Sequence, residues 1–435
     1  MGGTPRRAVI SVSDKRGAAE LVAALVKAGW EVLSTGGTAA VLRAAGLSVT
    51  EVSDYTGQPE MMGGRVKTLH PKLLGGILAR RGAHEPEMEA HGLAPIDLVA
   101  VNLYPFRETA ARPDAALAEA VDQIDVGGPT LVRSAAKNFE DVTVLVDPDD
   151  YPFVIARLEA GEEIPPETRR RLAQKAFRHT ASYDAAISGY LTRREASGGE
   201  GEEGFPARLA LKIERAQTLR YGENPHQRGA LYRLSAAAEA SLSLPDAEVL
   251  GGKALSFNNL LDLAAAAELA AEMEGTACAI IKHTNPSGVG LGESPTRAYG
   301  RALACDPASA FGSVISFNRR VDAAAAEAMR ELFVEAVIAP GFEEEALSRF
   351  RKKKSLRILR LEGLGERSPG GYDLRSVPGG VLLQDRDQIA PGEMDWKVVT
   401  PRRPDAAEEK ALRLAWRVAR HVKSNAIVLA GAEGT

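Results

Sequence analysis

Three runs, "RAVISVS" (7–13), "IDLVAVNLYPF" (96–106) and "DVTVLVD" (141–147), are apolar almost without interruption. A strand with one face in water alternates apolar and polar residues. A strand covered on both faces does not, and burial of that kind belongs to parallel sheets flanked by helices. The intervening sequence supplies the helices. "GAAELVAALVKAGW" (17–30) carries apolar residues at helical spacing, "EVLST" (31–35) reads as a strand, "GGTAAVLRAAG" (36–46) as a helix ending on its glycine, and "SVTEVS" (48–53) as a short strand. This succession predicts a doubly wound α/β domain with a parallel sheet.

At 435 residues the chain exceeds one hydrophobic core and is expected to hold two or three domains. In residues 167–194, Leu172, Ala176, Tyr183, Ile187 and Tyr190 fall at helical spacing, so a long helix closes a first domain spanning 1–194. "EASGGEGEEG" (195–204), acidic and glycine-rich, reads as a linker. A second α/β domain, 205–435, mixes helices at "LLDLAAAAELAAEME" and "VDAAAAEAMRELFVEAV" with strands at "ACAIIKH", "SVISF" and "AVIAP". A glycine- and proline-rich stretch near residue 370 marks a subdomain boundary, and "SNAIVLAGAEGT" begins a further strand.

With 54 basic against 58 acidic residues, the formal charge of −4 gives no reason to expect nucleic acid. Two cysteines, Cys278 and Cys305, make no disulfide framework, and the seven histidines lack metal-ligand spacing, so no metal is expected. No apolar run approaches the roughly 20 residues that span a bilayer, and the N-terminus lacks a signal-peptide core. A cytoplasmic protein without a membrane partner is the expectation.

In an open parallel sheet, ligands bind outside the carboxyl ends of the strands, where helix N-termini present free N–H groups to anions. The loops 11–17 and 34–39 follow the first two strands. Ser11, Ser13, Ser34, Thr35 and Thr38 offer hydroxyls there, Lys15 offers charge, and Gly36 and Gly37 allow close backbone approach, which together make a phosphate cradle. Helix capping by the same serines and glycines is an equal reading for either loop alone. "GGRVKTLHP" adds Arg65 and Lys67, "NLYPF" puts Asn102 and Tyr104 at a strand end, and "IDVGGPTLVRSAAKN" puts Asp125 before a glycine pair and Lys137 on the following helix. Each has an ordinary structural explanation; jointly they bring an acid, two ammonium groups and a phenol toward one crevice.

These motifs, in this order and spacing, resemble the bifunctional purine-biosynthesis family that joins 5-aminoimidazole-4-carboxamide ribonucleotide (AICAR) formyltransferase to IMP cyclohydrolase. The resemblance continues through "RYGENPHQ", "IKHTNPSG", "IAPGFEEEAL", "GGVLLQ" and "VKSNAI", covering nearly the whole chain. It implies a methylglyoxal-synthase-like first domain that closes the purine ring of the formylated nucleotide (FAICAR), with Lys67, Tyr104, Asp125 and Lys137 at the reacting groups. Asp125 is the expected proton acceptor or amide orienter and Lys67 the oxyanion stabiliser, with Tyr104 and Lys137 handling protons and water. The 5′-phosphate is then the owner of the cradle. Gln123 stands where many relatives are expected to carry Asn.

In the second domain, Lys282 and His283 stand together where an apolar strand ends, and Pro286 and Gly288 are expected to hold the next turn. The resemblance implies a cytidine-deaminase-like formyltransferase fold without zinc, using 10-formyltetrahydrofolate as cosubstrate and assembling as a homodimer. His283 is then the base for the 5-amino group, with Lys282 assisting. Arg220, Tyr221, His226, Asn259, Phe311, Gly312, Glu335 and Asn425 match further substrate positions; capping for Asn259 and core packing for Phe311 are the structural alternatives. Relatives are expected to continue past "SNAI" with a glycine-rich segment, so this chain is expected to lack the family's C-terminal part. The alternatives are cyclohydrolase activity alone, a regulatory nucleotide-binding module, or methylglyoxal synthase itself.

Overall fold

The computed structural model describes residues 5–112, 114–196, 205, 209, 211–234, 242–366, 371–387 and 394–435. The chain forms two compact units, Met1–Ala210 and Leu211–Thr435. The expected linker lies outside the described residues, apart from Glu195 and Ala196, which complete a helix.

The first unit is built on five strands: β1 (Arg7–Val12), β2 (Glu31–Ser34), β3 (Thr50–Glu51), β4 (Leu98–Asn102) and β5 (Thr143–Leu145). They lie in the order β3-β2-β1-β4-β5, and every pairing is parallel. Ala8, Val9, Ile10, Val99 and Ala100 are fully buried, as their unbroken apolar runs require. Only Thr50–Glu51 of the expected strand "SVTEVS" pairs; Val52 opens the short helix Val52–Thr56, which Gly57 closes at φ 76°. The helix Gly127–Lys137 buries Leu131, Val132, Ala135 and Ala136. Beside it runs the long helix Pro166–Ala196, whose Leu172, Ala173, Ala176, Tyr183 and Tyr190 join the same core.

In the second unit a six-stranded sheet has the order β10-β9-β11-β12-β13-β8. Its strands are β8 (Glu248–Gly251), β9 (Thr276–Lys282), β10 (Asn285–Gly292), β11 (Ser313–Phe317), β12 (Val334–Ala339) and β13 (Arg357–Arg360). β11, β12 and β13 run parallel, while β10, β9 and β8 pair antiparallel to their neighbours. Two separate hairpins complete it: β6 (Ile213–Thr218) with β7 (Ala230–Leu234), and β14 (Tyr372–Val377) with β15 (Gly380–Asp385). The glycine- and proline-rich stretch near residue 370 thus leads into a hairpin, and it falls within the second compact unit.

The expected helix "VDAAAAEAMRELFVEAV" is mostly something else. Asp322 caps a helix of only Ala323–Ala328, and Val334–Ala339 is strand β12. Pairing between β11 and β13 buries Val334, Ala336 and Val337, and this tertiary gain overrides local helix propensity. No strand forms at "SNAIVLAG"; Gly434 makes an isolated bridge to Gly290, and Ile427 and Leu429 are exposed.

Glycine spacing in β10 sets how that sheet is covered. Gly288, Gly290 and Gly292 recur with the strand period of two and face the helix Pro295–Cys305. A β-carbon on Gly288 would fall 2.0 Å from the Ala302 carbonyl oxygen, and one on Gly290 2.2 Å from that of Ala298. Only glycine lets the helix lie this close to the strand.

Candidate active site

In the first sheet the order of strands reverses between β1 and β4, which is where an open parallel sheet leaves a crevice at its carboxyl edge. A cleft of about 820 Å³ opens there. Ser11, Ser13, Lys15, Thr35, Gly37, Thr38, Arg65, Lys67, Asn102, Tyr104 and Asp125 line it, on loops that follow β1, β2 and β4 and two further loop segments.

Asn102 locks two of these loops together. Its Oδ1 accepts from the Ser13 N–H (2.5 Å) and the Asp14 N–H (2.8 Å), while its Nδ2 donates to the Asp14 carbonyl (3.2 Å). The Ser13 hydroxyl lies 2.6 Å from the Leu103 carbonyl oxygen. Thr38, on the helix Gly36–Ala44 that follows β2, ties that helix to the end of β1 by accepting from the Val12 N–H at 3.2 Å. Lys15 donates to Thr38 Oγ1 at 2.9 Å and to the Val12 carbonyl, and burial pulls its ammonium below the ordinary lysine range. Ser11 and Thr35 share a hydroxyl–hydroxyl bond of 2.9 Å. Fixed hydroxyls, a lysine and the N-terminus of the helix Gly36–Ala44 thus stand together at the cleft, the donor types that an anion site uses.

Asp125 sits at the opposite wall. Its Oδ1 accepts from the Gly128 N–H at 2.8 Å. Burial pushes its carboxyl above the ordinary carboxylate range, against the pull of the Gly128, Tyr104 and Gly127 N–H groups and the Lys67 ammonium. A side chain on Gly128 would run into this carboxylate, at 2.4 Å from Oδ2, so the absence of one there is what lets the acid approach the helix N-terminus. Tyr104 is half-exposed beside it. Lys67 Nζ is 3.7 Å from Glu60 Oε2, and Arg65 pairs with Asp122.

Three of the expected first-unit residues stand elsewhere or otherwise. Ser34 is fully buried and donates to the Ile10 carbonyl at 2.8 Å, so its hydroxyl is spent inside the sheet. Gly36 is not on the cleft wall but takes φ 25° directly behind Glu60. Lys137 is exposed at the last position of the helix that begins at Gly127. It does not line the cleft; six residues of helix, about 9 Å of rise, separate it from Leu131, which does.

The second unit arranges its candidates differently. Lys282 pairs with Asn285 across a two-residue hairpin turn, His283–Thr284, and both turn residues take positive φ (51° and 61°). This is the backbone twist that tight hairpins favour, here adopted without glycine. Pro286 and Gly288, expected in the turn, instead lie in β10 on either side of a bulge. Asp262 holds the turn by accepting the Thr284 N–H at 2.7 Å, and burial raises its carboxyl. Lys282 donates to the Phe311 carbonyl at 2.8 Å; the Phe311 ring is 61% exposed and tilts against Phe333, which excludes the core-packing alternative. Gly312, at φ 73°, donates to the Phe333 carbonyl. The Lys423 N–H bonds Asn285 at 3.2 Å, bringing the segment with exposed Asn425 beside the hairpin.

Asn259 and Glu335 also serve the fold. Asn259 is buried in a capping box with Ser256, the structural alternative raised for it. Glu335 binds buried Arg357 at 2.5 Å. Arg220 lies 4.8 Å over the Tyr221 ring, and His226 is exposed on the turn that follows.

A sequence-family model described as "MGS-like domain" matches residues 17–130, and one described as "AICARFT/IMPCHase bienzyme" matches residues 135–435. The chain belongs to the AICARFT/IMPCHase bienzyme family. Curated proteins described as "Bifunctional purine biosynthesis protein PurH" are similar to it over nearly its full length. That of Myxococcus xanthus is 51% identical, covering 98% of this chain and 82% of the relative. Those of Persephonella marina and Bacillus cereus (strain B4264) are 47% and 48% identical, covering 99% and 98% of this chain and 82% of each relative.

In this bienzyme, sequence reasoning missed three residues that structure brings to the sites. Glu60 faces Lys67 from seven positions away, a spacing that signals nothing by itself. Asp262 hides in the helix Phe257–Ala271, where it reads as a solvated charge. Tyr183 was legible only as a core aromatic, yet its hydroxyl accepts the Asp125 N–H at 2.8 Å. Among the described residues no group of three or more His, Cys, Asp or Glu is arranged to hold a metal ion, and no helix is long and apolar enough to cross a membrane.

Proposed function

We propose that this chain carries both activities of its family, the last two steps of IMP synthesis. In the first, the 5-amino nitrogen of AICAR attacks the formyl carbon of 10-formyltetrahydrofolate, the bond from that carbon to N10 breaks, and the amine proton passes by way of a base to N10. In the second, the carboxamide nitrogen of FAICAR attacks the new formyl carbon, and the formyl oxygen leaves as water with one proton from that nitrogen and one from the formamide nitrogen.

The observation that carries this reading is the half-buried Asp125 carboxylate opposite the Ser11, Thr35 and Thr38 hydroxyls and Lys15, with Lys67 and Tyr104 on the same cleft. An amide nitrogen is a poor nucleophile and needs its proton taken as it attacks, and a carboxylate raised by burial is a stronger base than one in water. Lys67 is suited to the charge that develops on the formyl oxygen, and Tyr104 to passing a proton to the departing water. The hydroxyls of Ser11, Ser13, Thr35 and Thr38, with Lys15, hold the 5′-phosphate.

For formyl transfer, His283 at the hairpin tip is the base and Lys282 its partner, with Arg220, Tyr221, Phe311 and Asn425 contributing to the substrate surface. Exposed Phe311 and Phe333 favour a second copy of the chain covering this face, so a cytoplasmic homodimer is the form in which the second site works. The test is one assay in two arms: IMP formation from FAICAR, and from AICAR with 10-formyltetrahydrofolate. Turnover in both arms is expected. Turnover from FAICAR alone would restrict the activity to the first unit.

A further inference from the structure

The cleft residues from Thr35 to Gly128 fall within the MGS-like segment, 17–130, whereas the long helix Pro166–Ala196 lies beyond that segment. Two of the turns that carry cleft residues are nevertheless attached to it. Tyr183 Oη accepts the Asp125 N–H at 2.8 Å and donates to the Gln123 carbonyl at 2.8 Å. One hydroxyl therefore spends its donor and one acceptor on the two ends of a single turn. Because it reads Gln123 through the carbonyl, the side chain at that position is immaterial to the contact.

The second attachment is to the turn after β4. The Phe106 N–H bonds the Tyr104 carbonyl at 2.8 Å, and the Phe106 ring packs edge-on against Tyr183 (6.2 Å, 71°) and Tyr190 (5.6 Å, 88°). Next to Tyr183, the Ser182 carbonyl accepts from Arg107 at 2.6 Å. The turns of Tyr104 and Asp125 are thus both fixed to one point of one helix, around Tyr183, which is itself buried.

We propose that Tyr183 is a positioning residue for ring closure, holding the Asp125 turn so that the carboxylate meets the amide nitrogen and keeps its own N–H donors aligned. This rests on the assignment of Asp125 as the base. Burial pushes the Tyr183 phenol up to about 12, so it remains a donor to Gln123 throughout the pH range in which the enzyme works. The carboxylate's N–H partners at Gly128, Tyr104 and Gly127 favour its charged form, and a loosened turn weakens them.

The test is Tyr183→Phe, which keeps the ring and removes only the hydroxyl, compared with Asp125→Asn in the full chain with FAICAR as substrate. The expected result for Tyr183→Phe is a kcat lowered by roughly tenfold to a hundredfold with KM within about twofold. The acid limb of its pH–rate profile should also move to higher pH. Rates are measured well below the melting midpoint of each variant, so that lost fold and lost positioning are read separately. A limb and kcat unchanged from the parent, whatever the melting temperature does, would overturn the inference while leaving Asp125 in its role. An Asp125→Asn variant that still closes the ring would overturn the base assignment, and this inference with it.

Discussion

On the function proposed above, the two units meet the same demand, presenting a base to a weak nitrogen nucleophile, in sheets of different kinds. In the first, all five strands run parallel, so every strand's carboxyl end opens on one edge and the loops converge on one cleft. In the second, antiparallel partners at β10, β9 and β8 send successive loops to opposite edges. Its candidate residues come from three loops: a hairpin tip at His283, the Phe311 loop that Lys282 bonds, and an exposed turn at Arg220 to His226. A parallel sheet assembles a site from one chain by topology alone. A mixed sheet leaves its loops in reach of another surface, which is why the proposed second site calls for a second copy.

The sharpest way to break this comparison is to remove each base. Asp125→Asn is expected to lower IMP formation from FAICAR by about 10²- to 10⁴-fold while formyl transfer, followed by release of tetrahydrofolate, stays within about twofold. His283→Ala should do the reverse by a similar factor. If either variant depresses both reactions equally, the units do not act as separate catalysts.

Acidity offers a second discrimination. The raised carboxyl of Asp125 must be ionised to accept a proton, so ring closure should fail, as pH drops, at a pH above the ordinary carboxylate range. A kcat profile flat down through that ordinary range would remove Asp125 as the base.

Stability sharpens the contrast further. Gly288→Val forces side-chain atoms into the Ala302 carbonyl and is expected to cost the second unit about 1–3 kcal/mol, seen as a lower denaturation midpoint. FAICAR closure should keep its rate. The smallest effect is expected from Asn259→Ala, about 0.5–2 kcal/mol from loss of the capping box, with KM for AICAR unchanged. A raised KM without loss of stability would instead return Asn259 to the substrate surface.

Much of this was legible in sequence because its causes are local. Unbroken apolar runs specify strands covered on both faces, and the five parallel strands follow from them. Glycines before a helix mark where a backbone must come close, as Gly127 and Gly128 do behind Thr68 and Asp125. Asn259, three residues after Ser256, has the spacing of a capping box. The failures have a common cause as well. Residues 329–337 read as helix until β11 and β13 are present to pair with Val334–Val337, and Ser34 reads as a cleft hydroxyl until Ile10 is present to accept from it.

The sequence by itself determined the kind of sheet in the first unit, the family, and the chemical types of the groups available, since periodicity, turn chemistry and residue identity are properties of short stretches. Tertiary structure alone decided which of those groups meet. Strand order sets the crevice between β1 and β4, a helix sixty residues downstream supplies the hydroxyl that holds Asp125, and Ser34 turns inward to Ile10. Those outcomes depend on contacts between residues far apart in the chain, whose pairing is chosen by burial of the whole core and leaves no mark on any single segment.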